Sequence, residues 1–284
     1  LVGPNGAGKT TLMHCMAALD EPFSGRITID GIDVHHDPRK AHRITGYLSD
    51  FFGLYDQLTV EQCLTYMGWS HGLRDQALSD KIDWACTMLD LGQYRDKKSE
   101  DLSRGLRQRL AIAQAILHDP KVLLLDEPAS GLDPEARHGL SQLILQLQKS
   151  GMTLIVSSHI LAELEDYCTD MLVIRDGRIV DHVKMQDIEA EQVTLIEVDV
   201  ISPSDEYLTT IAAYKEVTAA SYTAGKTISF TLNGGEDMQN KILKRLIKDK
   251  VPLVRFSPKG KTLQDAYMSL SQGDKQPKIV QEKK

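Results

Sequence analysis

The chain's 284 residues suit one large domain plus a smaller one, or two medium ones, and with 42% hydrophobic and 26% charged residues it can build a sizeable core. Its net charge of −7 argues against a nucleic-acid binder, whose phosphate contacts need a basic surface. No apolar run approaches the ~18 residues of a bilayer span, and the scattered Cys15, Cys63, Cys86 and Cys168 form no CxxC pair, so reduced thiols of a cytoplasmic protein are expected.

The first element is a loop. Leu1-Val2 runs into Gly3-Pro4-Asn5-Gly6-Ala7-Gly8-Lys9-Thr10, which fits the pattern G-x-x-x-x-G-K-[ST]. Each position has a chemical reason. Glycines let backbone N–H groups turn inward around phosphate oxygens, Lys9 supplies a point charge for the β- and γ-phosphates, and the Thr10 hydroxyl can ligate Mg²⁺. From Thr11 to Leu19 the chain reads as a helix whose positive N-terminal dipole faces the anion. Residues 24–31 then alternate like a strand ending in a turn. Phe51, Phe52, Leu54 and Tyr55 crowd one loop ahead of a helix over 59–67. That apolar loop either docks a partner or packs into a helical region spanning about 56–118. Over 106–117 the apolar positions 106, 110, 112, 113, 116 and 117 share a helical face, with Leu102-Ser103 ahead of it as an N-cap.

A phosphate loop needs a partner motif, and Lys121-Val-Leu-Leu-Leu125-Asp126-Glu127 supplies it. Four consecutive apolar residues suit a parallel strand buried on both faces, and acids at its C-terminal end fall where open α/β sheets bind ligands. Asp126 is expected to hold Mg²⁺ and Glu127 to sit near the attacking water as general base or polariser. No NKxD-type segment is present to read guanine. Residues 152–157 read as a second buried strand, with His159 just beyond its end. The nine histidines, including the pair His35-His36, show no metal-ligand spacing.

Between and after these motifs lie Leu102-Ser103-Arg104-Gly105-Leu106-Arg107-Gln108-Arg109-Leu110, then Ala129-Ser130-Gly131-Leu132-Asp133-Pro134, then Ser157-Ser158-His159. In this order the motifs resemble the nucleotide-binding subunit of an ABC transporter, over about residues 1–185. The resemblance implies that Ser103 and Gly105 are signature residues touching the γ-phosphate of ATP held by an opposite subunit. It further implies that Asp133 is an acid at the dimer interface and that His159 contacts the γ-phosphate and helps order Glu127 and water. Two ATP molecules would be sandwiched head-to-tail in a homodimer or heterodimer beneath a separate transmembrane permease subunit, on the inner face of the cell membrane. ATP and Mg²⁺ are the cofactors so implied, with residues 3–11 as the phosphate cradle and Lys9, Glu127 and His159 as the catalytic set. A soluble ABC-type ATPase not engaged in transport is the alternative; the single phosphate loop and the acidic balance weigh against action on ribosomes or DNA.

Two positions depart from the family pattern. The usual Gly-Gly-Gln of the signature is Arg104-Gly105-Leu106, which adds bulk and charge and removes an amide. Where the family has Gln, this chain has Asp50, in Ile44-Thr-Gly46-Tyr47-Leu48-Ser49-Asp50. Asp50 is then either a further Mg²⁺ ligand, as a harder donor than an amide, or a solvated loop acid. As a third carboxylate beside Asp126 and Glu127 it is tolerable only with metal bound.

The expected architecture is an α/β P-loop NTPase sheet with helices on both faces, a helical signature subdomain, a truncated antiparallel β subdomain and a small α+β C-terminal domain. Residues 1–188 are assigned to the nucleotide-binding domain. Residues 189–272 form the accessory domain, with alternating strands around 196–200 and 228–232, helices over 205–213 and from 238, a strand over 251–256 and a short helix over 262–270. Residues 273–284, rich in Lys, Gln and Pro, are expected to be disordered. Family members place strands before the loop, including one that feeds directly into it, and an aromatic residue that stacks on adenine. The chain is therefore expected to be N-terminally incomplete, with Leu1-Val2 a remnant of the feeding strand and an exposed sheet region that impairs folding.

Overall fold

The computed structural model describes residues 1–51, 53–161, 164–185 and 193–259. They divide into two compact units, Leu1–Cys168 with Leu172–His182, and Thr169–Met171 with the chain from Val183 onward. The expected helix over 262–270 and the tail over 273–284 lie outside the described residues.

The first unit is built on a parallel sheet of β3 (Thr45–Leu48), β4 (Val122–Asp126) and β5 (Thr153–Ser157), in the order β3-β4-β5. Strand β4 is central, and Leu123, Leu124 and Leu125 are fully buried because helices cover both of its faces. Its register sets Leu125 beside Leu48 and Val156, and Asp126 beside Ser157. Val2 forms parallel bridges to Ser158 and Val173, lying between the end of β5 and β6 (Asp170–Arg175). Strand β6 pairs in turn with β7 (Arg178–Lys184). Leu1, Ala7, Met13, Ala17, Leu124 and Ile174 form one buried cluster that clamps the first helix, α1 (Lys9–Met16), onto β4.

Around this sheet lie α2 (Pro38–Ile44), α3 (Val60–Ser70), α4 (Asp75–Met88), α5 (Arg104–Ile116) and α6 (Pro134–Lys149). Their starts are written in the sequence. Thr59 and Gln62 close a reciprocal capping box on α3, Ser103 caps α5 and Asp133 caps α6. The antiparallel region is smaller than the alternation over 24–31 suggests. Strand β1 spans only Thr28–Ile29 and pairs with β2 (Ile32–Asp33). Most of the intervening side chains are exposed, so few apolar contacts reward a longer ladder.

In the second unit β8 (Val193–Val200), α7 (Asp205–Ala212), β9 (Val217–Ala224), β10 (Thr227–Asn233), α8 (Glu236–Lys248) and β11 (Leu253–Lys259) follow one another. The sheet is antiparallel in the order β11-β8-β10-β9, a β-α-β-β-α-β plait. Ile196, Val198 and Val200 alternate inward from β8 and meet Ile228, Phe230 and Leu232 from β10, with Ile211, Ile242 and Leu246 of the two helices over them. Strand β9 is an element the sequence pattern misses. Ala219 sits at φ 55° and the register shifts along the strand, so the two-residue period breaks. Among the described residues no helix is long and apolar enough to cross a membrane.

Candidate nucleotide-binding site

The loop begins where the chain passes closest to β6. A Cβ on Gly3 would stand 2.3 Å from the Ile174 carbonyl oxygen, so only glycine fits there. Gly6 and Gly8 have φ of 79° and 103°, which turns the backbone back on itself before α1 starts. Gly8 occupies the N-cap position of α1 and offers no side-chain acceptor, so the first-turn amides of that helix remain open to an anion. Ala7 is buried and its carbonyl accepts from the Gly177 amide at 3.0 Å, which anchors the middle of the loop. Pro4, Asn5, Gly6, Thr10 and Thr11 are exposed along the rim.

Lys9 is buried, 6% exposed, and its ammonium donates to the carbonyls of Gly3 at 2.9 Å and Pro4 at 3.4 Å. The same ammonium lies 3.2 Å from Glu127 Oε1. The other Glu127 oxygen, Oε2, accepts from His159 Nδ1 at 2.8 Å. One carboxylate with a side chain only 14% exposed is thus held between two nitrogen donors that sequence places 118 positions upstream and 32 downstream. Glu127 itself has φ 48°, a left-handed conformation that costs roughly 1–3 kcal/mol in a residue with a side chain.

Ser157 joins the two acids. Its hydroxyl donates to Asp126 Oδ1 at 2.5 Å and accepts from the Glu127 amide at 3.0 Å. The local signal for this role is only a serine at the end of a buried strand; its pairing with Asp126 follows from the sheet register. Asp126 is 1% exposed, and its Oδ2 is buried without a hydrogen-bond partner. A divalent cation would satisfy a buried carboxylate oxygen in that state, and the exposed Thr10 hydroxyl could add a second oxygen donor, few protein ligands being enough for Mg²⁺. Among the described residues no group of three or more His, Cys, Asp or Glu is placed to hold a metal ion on its own.

Asp50 feels this cluster. Burial raises its pKa, Asp126 and Glu127 raise it further, and Arg104 and His159 offset part of the push. Tyr47 on β3 is pushed up to about 12, first by burial and then by Asp126, and its hydroxyl is buried without a partner.

Ser103, Gly105 and Asp133 gather at a different place, where the first turns of α5 and α6 meet. The Ser103 hydroxyl accepts from the Leu106 amide at 3.4 Å, a long bond that leaves its oxygen available, and the residue is exposed. A Cβ on Gly105 would lie 3.1 Å from the Ala136 Cβ, and Asp133 accepts from the Ala136 amide at 2.8 Å.

A family model described as ABC transporter matches residues 1–130. The uncharacterized ABC transporter ATP-binding protein YcbN of Bacillus subtilis is 34% identical over 278 residues, covering 96% of this chain and 87% of that one. The ABC transporter ATP-binding protein NatA of the same organism is 35% identical over 181 residues, covering 63% and 74%. Among solved structures, an ATP binding subunit of an ABC transporter superposes with a TM-score of 0.59 at 30% identity, covering 66% of this chain and 79% of that one. The cbiO1 protein from Clostridium perfringens, part of the ABC transporter complex cbiONQ, superposes with a TM-score of 0.59 at 28% identity, covering 67% and 79%.

Proposed function

The chain belongs to the ATP-binding proteins of ABC transporters, and from that premise we propose that it hydrolyses MgATP to drive transport through a separate membrane subunit. The observation that carries the hydrolytic reading is Glu127, whose two carboxylate oxygens are shared between Lys9 and His159. Lys9 leaves the loop carbonyls for the β- and γ-phosphate oxygens, and the open amides of the loop and of α1 take the remaining charge. Asp126 and Thr10 would hold Mg²⁺, which would neutralise phosphate charge. Freed of Lys9, Glu127 accepts a hydrogen bond from the attacking water, and His159 holds the carboxylate in place and meets the γ-phosphate.

The exposed Ser103 and the N-terminus of α5 fit a second subunit's nucleotide, so the working form is a dimer of this chain with itself or with a paralogue. On the same unit Phe51 is 92% exposed, and Tyr55, Tyr66 and Trp69 are each about half exposed, with Tyr55 and Tyr66 edge to face. We assign that aromatic surface to the permease, which places the protein on the cytoplasmic face of the membrane. The second unit is an accessory domain for dimerisation or docking. Glu127→Gln keeps shape and removes the proton acceptor, so ATP turnover is expected to fall by about 10² to 10⁴ while MgATP still binds. A variant that turned over ATP at the parent rate would sink the hydrolytic assignment.

A further inference from the structure

Arg104 takes no part in the phosphate chemistry above, yet it is placed with care. It is the first residue of α5, and its Nη2 donates to the Ser130 carbonyl at 2.8 Å, 26 residues further along the chain. The guanidinium lies against the Gly131 α-carbon. A Cβ built on Gly131 would stand 2.4 Å from Arg104 Cζ and from Nη2. Gly131 is also left-handed, with φ 65°. Two independent constraints therefore keep position 131 bare, its backbone conformation and the seat of the guanidinium.

The line of contacts continues into the site. The Ser130 amide donates to the Glu127 carbonyl at 3.0 Å, and the Leu132 amide donates to the Ala129 carbonyl at 3.2 Å. Residues 127–132 are thus a run of tight turns that begins at the left-handed Glu127 and ends under Arg104. Arg104 also tempers the charge pressing on Asp50, so it stands within the field of the site's acids.

We propose that Arg104 is a positioning residue that ties the first turn of α5 to the turn carrying Glu127, so that a second subunit's nucleotide on Ser103 and Gly105 is felt at this subunit's own water-polarising carboxylate. The proposal rests on the roles given above to Glu127 and the signature residues. Arginine suits the task because its planar fork can stack on the glycine and still donate to the carbonyl. A lysine ammonium could make the bond but not the stack.

The test uses the full chain, with ATP turnover at saturating MgATP and ATP affinity measured separately. Arg104→Ala is expected to lower kcat about tenfold, the worth of a hydrogen bond from a charged donor, with affinity unchanged; a merely structural role predicts no such split. Arg104→Lys recovers part of the loss. Gly131→Ala evicts the guanidinium and lowers kcat by a similar factor, and the double variant Arg104→Ala/Gly131→Ala is no slower than Gly131→Ala alone. Parental kcat in Arg104→Ala, or losses that multiply in the double variant, would overturn the proposal while leaving ATP binding intact. A parent chain that bound no MgATP would overturn the hydrolytic reading and this proposal together.

Discussion

In the plait, Asp199 accepts from Thr227 at 2.7 Å and from Arg255 at 2.8 Å, and these partners hold its carboxyl below the usual range, Thr227 first. Glu216 is likewise lowered, first by its own backbone amide and then by Lys241 and Arg245, and its buried Oε2, which makes no hydrogen bond, faces the Arg245 guanidinium at 3.8 Å. Around the phosphate loop the balance reverses. Asp50 is pushed up by burial and by two neighbouring carboxylates, Asp126 keeps a buried oxygen without a hydrogen bond, and Glu127 sits in a strained backbone conformation. The two plait acids each have a cation or hydrogen-bond donor that lowers them, whereas Asp50 and Asp126 beside the phosphate loop are held where the folded chain alone leaves them short of positive charge. Among the described residues of the plait, polar side chains pair with one another, as in Tyr214 to Asp249 at 2.7 Å beneath Arg245.

If the plait serves through its packing, its weak point is its core. Phe230 is fully buried between the sheet and its helices, and Phe230→Ala is expected to cost about 3–5 kcal/mol of that unit's stability, read by denaturant unfolding. MgATP affinity should stay at the parent value. Loss of ATP binding at a denaturant concentration where the plait is still folded would break the division of labour drawn here.

The nucleotide unit was far more legible than the plait, for a physical reason. Residues 3–10 and 121–127 each carry chemistry that tolerates few residue types, and the four-apolar run of β4 is a buried parallel strand as its composition requires. Ser103 and Asp133 stand as helix caps, a local signal that a single residue can carry. What could not be read was long-range. Nothing local tells that Lys9, Glu127 and His159 share one carboxylate, or that Arg104 reaches residue 130, because sheet register and crossover geometry bring them together. In the plait, helices α7 and α8 follow from periodicity, but β9, with its left-handed Ala219 and shifted register, carries no clean alternation.

A second way to sharpen the comparison lies away from both acids. His118 stacks on His71 with ring centroids 3.9 Å apart, donates from Nε2 to the Thr45 carbonyl at 3.2 Å, and leaves Nδ1 buried without a partner. Burial and then His71 push its pKa down to about 4. A depressed value means the folded state resists a proton that the unfolded chain accepts. The stability it contributes is present above the unfolded value near 6.5 and is lost as pH falls through the folded one. The nucleotide unit should therefore lose up to about 3 kcal/mol between pH 7 and pH 4 from this residue, less whatever solvent access relieves. His118→Gln, which cannot titrate, should flatten that part of the stability profile; an unchanged slope would remove His118 from the account.

The smallest effect belongs to Asp50, and it tests most directly whether the nucleotide unit is short of cations. Its folded pKa is raised, so the native state favours the protonated carboxyl, and the associated stability is present below the unfolded value and lost as pH rises through the folded one. At neutral pH without metal the ionised Asp50 therefore works against the fold. Asp50→Asn removes that charge and should raise the melting temperature by roughly one to three degrees in metal-free buffer. The gain should shrink as pH falls toward the carboxylate range, where the parent is protonated as well. Saturating MgATP should also erase it, because bound metal would supply the positive charge that Asp50 and Asp126 lack. A variant less stable than the parent in metal-free buffer, or a gain indifferent to both pH and MgATP, would show Asp50 to be an ordinary solvated loop acid.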